Sequence, residues 1–331
     1  MAARTAAGVI VALVLACRPE HRVVRDATTV QRDVDFRGWP ALVLRNRQLE
    51  AVVVPAIGRI VSLRLLRQGA ASADPFWLHP KLGRALAPDD NGWINFGGDK
   101  AWPAPQSDWQ RIAGRGWPPP VTFDARAYAA EVVGDATVRM TSPVDPAYGV
   151  SVRRDIQLVG DEMIVETTYD KRAGAPVRAA VWTITQLTSP DRVFLLLPER
   201  SSFAGGHRSV MPAPPRDVAV DGRLLSMARD REQKTMLASD ADALAWIGPG
   251  CSLLLRTASP PPAPGAAWPG GAHAQVYTNP DGDQPYVELE LLGTLQDLAP
   301  GQSATLQVRY RLSPRVEADP RAEARRIMGV H

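Results

Sequence analysis

The sequence predicts an all-β protein made of antiparallel sheets, with one short helix near its C-terminal end. Three observations support this prediction. Segments in which apolar and polar residues alternate recur along the chain, turn-forming dipeptides separate them, and 30 Pro and 26 Gly residues suit the loops between strands. Alternation with a period of two gives a strand one buried and one solvated face, which is typical of antiparallel sheets.

The alternating segments lie in both halves of the chain. Gly160-Asp161 separates two of them and predicts a hairpin, and Asp221-Gly222 predicts a second, shorter hairpin. The Pro-rich run over residues 260–264 predicts a surface loop, because Pro cannot donate to a sheet ladder. The clearest alternating segments are residues 59–66, 150–158, 163–169, 287–291 and 306–312.

The C-terminal segment carries the signals of one helix. Asp319 suits the cap, Pro320 the first turn, and Gly329 the end. No convincing linker divides the chain before it. We therefore expect one β domain over residues 36–315 and a helical segment over residues 316–331.

The first residues predict export. Arg4 precedes an apolar stretch from Ala6 to Ala16, which is too short to span a bilayer. Cys17 follows a small residue, as in a bacterial lipobox, so we expect residues 1–17 to be a signal peptide with a lipobox-like end and residues 18–35 to be a tether. The alternative is a plain signal peptide with a chance Cys. This interpretation predicts a periplasmic or outer-membrane-anchored lipoprotein of a bacterium that reaches the membrane only through a lipid on Cys17.

Composition excludes several other classes. A hydrophobic content of 45% with 22% charged residues excludes wholesale disorder. The net charge is only +3, and no basic helix or zinc-finger spacing indicates nucleic-acid binding. If Cys17 is lipidated, Cys251 has no partner and is expected to be a buried free thiol. The segment with Asn279, Asp281 and Asp283 lacks the ligand spacing of an EF-hand. We expect no metal, no cofactor and a monomer.

The segment from Asn95 to Trp109 is the main candidate for function. Its two Gly and two Pro predict a rigid, tightly turned loop. Amide, charged and aromatic side chains together suit a sugar, whose apolar face can lie on an indole while its hydroxyls bond to polar groups. The alternative is that the Trp side chains are core residues and the charges satisfy the loop. The region contains Trp93, Asn95, Asp99, Lys100, Trp102, Gln106, Trp109 and Trp117.

The run from Gly97 to Trp109, with the pattern GGDKxWPxPQxxW, resembles the signature of an uncharacterised family of galactose mutarotase-like proteins. Weaker similarities lie elsewhere in the chain, so the resemblance covers roughly residues 40–313. These weaker segments are Gly58-Arg59-Ile60, Gln233-Lys234, Ala245-Trp246, and the stretches 285–290 and 298–303.

The resemblance implies a large antiparallel two-sheet supersandwich with a carbohydrate-facing cleft. We therefore expect the protein to bind a saccharide. Lys234 joins the candidates because the chain has only four Lys against 34 Arg, and a retained Lys provides a compact cation. The alternative is that it is an ordinary surface residue. The expected ligand contacts are Asn95, Asp99, Lys100, Trp102, Gln106, Trp109 and Lys234.

The resemblance also raises an enzymatic alternative, aldose 1-epimerisation. Mutarotases use a late Glu as base and a His as acid, which implies Glu288 as base with His207 or His273 as acid. The other late carboxylate, Glu290, shares a strand face with Glu288, and both can equally be the solvated side of that strand. The chain lacks the Asn-His pair of aldose epimerases. A third alternative is a structural envelope lipoprotein without a ligand.

Overall fold

The computed structural model describes residues 27–66, 74–83, 86, 88–258 and 266–330. These residues form mostly strands, joined by short helices and turns. The strands are β1 (Thr29–Phe36), β2 (Trp39–Arg45), β3 (Leu49–Val54), β4 (Arg59–Leu65), β5 (Asp99–Ala104), β6 (Ala129–Val133), β7 (Thr137–Thr141), β8 (Val150–Val159), β9 (Glu162–Lys171), β10 (Val177–Thr188), β11 (Arg192–Leu196), β12 (Arg208–Ser209), β13 (Val218–Asp221), β14 (Leu224–Met227), β15 (Thr235–Ser239), β16 (Ala243–Ile247), β17 (Cys251–Thr257), β18 (Ala274–Thr278), β19 (Tyr286–Leu292), β20 (Gln296–Leu298) and β21 (Ser303–Pro314).

Two antiparallel sheets pack against each other. The larger has the order β1-β2-β3-β4-β5-β10-β19-β18-β15-β12, with β20 pairing beside β10. The smaller has the order β13-β14-β11-β16-β17-β21-β9-β8-β7-β6. The prediction of an all-β protein with two antiparallel sheets is confirmed. The helices are α1 (Trp109–Ala113), α2 (Val121–Asp124) and α3 (Pro320–Met328).

The hairpins and the helix that the local sequence signals predicted are present in the structure. Strands β8 and β9 pair as a hairpin around Gly160-Asp161, and β13 and β14 pair around Asp221-Gly222. At α3 the Asp319 side chain accepts bonds from two backbone amides of the first turn, and Gly329 ends the helix in the left-handed region with φ of 69°.

The core lies between the inner faces of the two sheets. Aliphatic and aromatic side chains from both sheets fill it as one continuous cluster. Helix α3 covers part of the outer face of the smaller sheet, where Ile327 and Met328 pack against Phe194 and Leu254. Burying each such side chain contributes about 1.5–3 kcal/mol. On the larger sheet, by contrast, the outer face carries polar side chains such as Lys100 and Glu288.

The described fold begins before the expected domain boundary. Strand β1 starts at Thr29 and pairs with β2, so it occupies part of the segment that we expected to be a tether. The expected signal peptide, Cys17 and the Pro-rich run over 260–264 lie outside the described residues. Cys251 is a buried free thiol, and burial raises its pKa to about 12. Among the described helices, none is long and apolar enough to cross a bilayer.

Candidate functional site

Strand β5 sends the motif residues to two different faces of the larger sheet. Asp99 points inward, because its carboxylate accepts hydrogen bonds from Arg154 and Tyr310 of the smaller sheet. Side chains alternate along a strand, so Lys100 and Trp102 point to the outer face. The motif therefore contributes to the core on one side and to a candidate site on the other.

Two glycines set the position of this strand. Gly97 and Gly98 have φ angles of 87° and 73°, a region that residues with a Cβ rarely adopt. A Cβ on Gly97 would also collide with the backbone of Trp77, and one on Gly98 with the backbone of Ile60. The paired glycines let the chain pass close to its neighbours and enter β5 at Asp99.

Lys100, Glu288 and Glu290 form a charged cluster on the outer face. Strand β10 lies between β5 and β19, and its Ile184 is opposite Lys100 on one side and Glu290 on the other. Glu288 and Glu290 are two residues apart on β19, so they share this face. The three side chains are nearly buried, with 1%, 9% and 1% of their surfaces exposed for Lys100, Glu288 and Glu290.

The Lys100 ammonium has two partners within the cluster. Its Nζ lies 3.2 Å from Oε1 of Glu288 and 4.7 Å from the centre of the Trp102 ring. Burial lowers the pKa of Lys100, and the charge of Glu288 opposes this effect. An ion pair and a cation–π contact thus hold a buried cation beside two carboxyl groups.

Glu290 differs from Glu288 in its partner. The indole Nε1 of Trp182 donates to Oε2 of Glu290 at 2.8 Å. Burial, and then the neighbouring Glu288, raise the pKa of Glu290 well above its usual value. The protonated form of Glu290 is thereby favoured, and the face holds one carboxyl paired with an ammonium and one with a raised proton affinity.

Further polar groups on this face are incompletely hydrogen-bonded. The buried amide of Gln186, which is opposite Glu288 in the register, interacts with the Tyr286 side chain but forms no hydrogen bond of normal geometry in the described part of the chain. Arg59 donates through Nη2 to Asp124 at 2.7 Å, but its Nε and Nη1 have no partner among the described residues. Buried polar groups normally have partners, so these groups indicate a place for a polar ligand.

One cleft, here called the Asn95 cleft, opens beside the cluster. Its volume is about 460 Å³, and it contains a cation, several amides and two aromatic rings. The Asn95 amide nitrogen lies 3.4 Å from Oε1 of Gln284. The Asn95 side chain also interacts with Tyr286, although its Oδ1 forms no hydrogen bond of normal geometry among the described residues. The lining residues that matter here are Trp93, Asn95, Lys234, Asn279, Gln284 and Tyr286.

A second cleft, here called the Gln106 cleft, opens on the same face at the other end of β5. Its volume is about 300 Å³. Gln106 itself is exposed and lies in a short turn after the strand. The lining includes Gln106, Trp182, Arg208, Met236, Gln275 and Leu292.

The indoles near the motif form a packed group. Trp102 contacts Trp93, Trp109, Trp117 and Trp182 through edge-to-face pairs with ring centres 5.6–6.4 Å apart. Trp109 is fully buried, and its Nε1 donates to the carbonyl of the motif's own Pro103 at 2.7 Å. Trp109 is therefore a packing residue in this structure, in contrast to the expected ligand contact. The Trp102 ring packs against the Lys100 ammonium.

The expected role of Asp99 is also corrected. Its side chain is fully buried between the sheets, where it accepts bonds from Thr185 and Tyr310 at 2.7 Å each and pairs with Arg154. Both carboxylate oxygens therefore accept from protein groups between the sheets. In this structure Asp99 joins the two sheets and points away from the outer face.

The two expected histidine acids lie away from the cluster. His207 precedes β12, and its Nδ1 is 3.1 Å from the Gly205 carbonyl. His273 packs against Trp268, with ring centres 4.7 Å apart, and burial lowers its pKa. In the described residues neither contacts Glu288, so the expected His–Glu pair is not assembled. His79, which we took for a packing residue, packs edge-on to Trp77 and also lines the Asn95 cleft.

Sequence reasoning missed Trp182, Gln186 and Tyr286. The signal for Gln186 was its place as a polar residue within β10, a strand that is buried along nearly its whole length. Trp182 and Tyr286 carry no local signal, because their importance depends on the strands beside them. Metal binding finds no support in the described ranges, where no group of three His, Cys, Asp or Glu residues converges.

Comparison with known proteins shows which fold this chain has. No family model and no curated protein matches the sequence. A galactose mutarotase-like protein from Lactobacillus casei ATCC 334 superposes with a TM-score of 0.58 at 12% identity, over 82% of this chain and 100% of that chain. A galactose mutarotase related enzyme from Lactobacillus acidophilus superposes with a TM-score of 0.55 at 8% identity, over 82% and 97%. The chain therefore has the galactose mutarotase-like fold.

Proposed function

We propose that this protein binds a saccharide on the outer face of the larger sheet, at the Asn95 cleft and the charged cluster beside it. The observation that carries the proposal is the convergence of Asn95, Lys234 and the Lys100–Glu288 pair on one face, although they are far apart in the chain. The mutarotase-like fold of the solved neighbours is consistent with this use of the face.

The chemistry of the cleft suits sugar hydroxyls. Carboxylates and amides bond to adjacent hydroxyl groups, and the ammonium of Lys234 donates to a hydroxyl or to an acidic substituent. The rings of Trp93 and Tyr286 provide apolar walls for the C–H face of a pyranose. Atoms of Asn95 and Gln186 that form no hydrogen bond of normal geometry among the described residues supply further acceptors and donors nearby.

A glycan panel tests the proposal through intrinsic fluorescence and melting temperature. A bound sugar should change the emission of Trp93 and raise the melting temperature. Lys234→Ala should weaken binding on the order of tenfold to a hundredfold, because a hydrogen bond from a charged donor contributes about 1.5–3 kcal/mol. Arg172→Ala is the matched control, since Arg172 is an exposed cation directly after β9 of the smaller sheet. If no glycan in a broad panel changes either signal, the proposal is wrong.

The two unlike carboxyl groups favour a second candidate function, interconversion of aldose anomers. The Glu288 carboxylate would take the proton from the C1 hydroxyl while protonated Glu290 gives its proton to the ring oxygen. The bond from C1 to the ring oxygen then breaks and leaves an open-chain aldehyde. Rotation about C1–C2 and reversal of both proton transfers give the other anomer. Glu290 replaces the histidine acid that the sequence suggested.

Anomer equilibration followed by polarimetry separates binding from turnover. If the second candidate is correct, Glu288→Gln and Glu290→Gln should each slow equilibration about 10²–10⁴-fold and leave sugar binding in place. A wild-type protein that binds a sugar yet equilibrates it no faster than buffer would exclude the second candidate and leave the first.

We also propose that the protein is exported and anchored by a lipid on Cys17. The basis is the sequence of its first residues, with an apolar stretch that ends in Leu15-Ala16-Cys17. Cys17→Ser should move the protein from the membrane to the soluble fraction of the envelope. Cys251→Ala is the matched control, because Cys251 is buried inside the fold. Equal membrane fractions for wild type and Cys17→Ser would contradict the anchor.

A further inference from the structure

The Asn95 cleft and the Gln106 cleft each have a lining residue at the start of strand β15. Lys234 lines the first and Met236 lines the second. Thr235, between them, turns inward and bonds to the Thr278 hydroxyl at 2.9 Å. Lys234 and Met236 therefore share the outer face and are separated by about 7 Å along the chain. The two clefts therefore have lining residues only two positions apart in this part of the chain.

Strand β19 runs beneath both clefts. Its outer-face residues are, in order, Tyr286 in the Asn95 cleft, Glu288 and Glu290 of the charged cluster, and Leu292 in the Gln106 cleft. The six residue steps from Tyr286 to Leu292 span about 20 Å of extended strand. The neighbouring strand β18 repeats this arrangement, with Gln275 toward one cleft and the residue after its end, Asn279, in the other.

Tyr277 lies on the outer face between the residues that line the two clefts. It is opposite Met236 on one side and Glu288 on the other, and its ring centre lies 6.1 Å from that of Tyr286. The side chain is only partly buried. A partly exposed phenol ring at this position can pack against a further apolar ring face.

The Asn95–Trp109 segment connects the same two clefts from the other side. Asn95 lines one cleft, Gln106 lines the other, and Lys100 and Trp102 lie on the outer face between them. Each cleft thus offers the same three kinds of group, an aromatic ring, a side-chain amide and a cation. These are Tyr286, Asn95 and Lys234 in one, and Trp182, Gln275 and Arg208 in the other.

We infer that the ligand is an oligosaccharide that lies across Tyr277 and occupies both clefts at once. This inference rests on the proposed saccharide-binding function and names its ligand class. A single sugar ring fills one cleft, whereas the face repeats its recognition groups over about 20 Å. A chain of several linked sugars presents ring faces and hydroxyls repeatedly, and so matches that repetition. Joining the units in one molecule makes occupation of the second cleft intramolecular.

Titration of one glycan type from mono- to hexasaccharide tests the inference. Affinity should increase with length by on the order of 10²-fold and then level off when both clefts are occupied. Gln106→Ala should remove most of that increase, because Gln106 lines the second cleft. Tyr277→Ala should weaken the longer glycans in the same way. Gln110→Ala is the matched control, because Gln110 is exposed on α1 and lines neither cleft. Its amide donates to the Gly114 carbonyl.

The outcomes separate this inference from the function on which it rests. Equal affinities for the monosaccharide and the hexasaccharide would overturn the oligosaccharide inference and leave saccharide binding intact. A length dependence that Gln106→Ala and Tyr277→Ala do not change would also overturn it. Absence of binding at every length would overturn the proposed function itself. Gln106 is exposed, so a loss seen in its variant does not arise from unfolding.

Discussion

Asp99 and Lys100 are consecutive in the chain, yet they belong to two different polar layers of the molecule. Asp99 lies between the sheets, where Arg154, Thr185 and Tyr310 satisfy its carboxylate. Lys100 lies on the outer face, where it pairs with Glu288 beside Gln186, whose amide has no hydrogen bond of normal geometry in the described part of the chain. Both layers are buried, and both contain charges.

The difference between the layers lies in how completely their polar groups are paired. A buried charge without partners is costly, so a complete network joins two sheets, whereas an incomplete one favours a ligand that supplies the remaining partners. Burial alone does not distinguish the two, because Asp99 and Lys100 are exposed by only 0% and 1%. We therefore propose that the inner layer serves stability and that the outer layer serves recognition of a ligand.

The largest expected effect comes from breaking the inner layer. Asp99→Ala should reduce the free energy of unfolding by about 3–5 kcal/mol, because it leaves the Arg154 guanidinium buried without its carboxylate. Denaturant titration measures the loss. The control is Asp297→Ala, which removes a surface ion pair with Arg178 whose side chains are 54% and 76% exposed, for Arg178 and Asp297 respectively. That variant should lose less than about 1 kcal/mol. A stable Asp99→Ala variant with impaired sugar binding would reverse the assignment of the two layers.

The second effect concerns the pH dependence that the outer layer imposes. The folded protein raises the pKa of Glu290, so it binds this proton more tightly than the unfolded chain does. The resulting stability is full below the ordinary value of 4.5 and is lost as pH rises through the folded pKa, by about 1.4 kcal/mol for each unit of elevation. Glu290→Gln should remove this decline in unfolding free energy.

Glu323 provides a control of opposite sign for that measurement. Bonds from Arg326 and Ser252 outweigh the effect of burial and lower the pKa of Glu323 to about 2. Its contribution is present above pH 4.5 and is lost as pH falls toward 2. Glu323→Gln should therefore flatten the acid side of the profile and leave the alkaline side unchanged. If Glu290→Gln and wild type decline equally with rising pH, the account of Glu290 is wrong.

The smallest effect sharpens the role of the indole beside Glu290. Trp182→Phe removes the donor to Glu290 and should cost about 1 kcal/mol of unfolding free energy. The same change should raise the pKa of Glu290 further, since the lost bond lowers it. The shift is measured as a displacement of the pH–stability profile. Trp246→Phe removes a comparable bond to the Thr188 carbonyl and should leave that profile in place.

Much of the fold was accessible from local pattern. Alternation located strands such as β8 and β9, the Gly160-Asp161 turn joined them, and the cap at Asp319 located α3. These features depend on neighbours a few residues away, so the sequence shows them directly. The candidate site could be predicted from the sequence only in part. Asn95, Lys100, Gln106 and Lys234 reach the outer face, but Asp99 and Trp109 have structural roles, and Glu290 had no assigned partner.

The sequence by itself determined that the chain forms antiparallel sheets, where several strands and the last helix begin and end, and that the Asn95–Trp109 segment is unusual. Only the tertiary structure decided which face of β5 is inside and which strands lie beside it. The reason is physical: alternation states that Asp99 and Lys100 face opposite ways, but strand order decides what each meets. Lys100 and Glu288 are 188 residues apart in the chain and 3.2 Å apart in the fold.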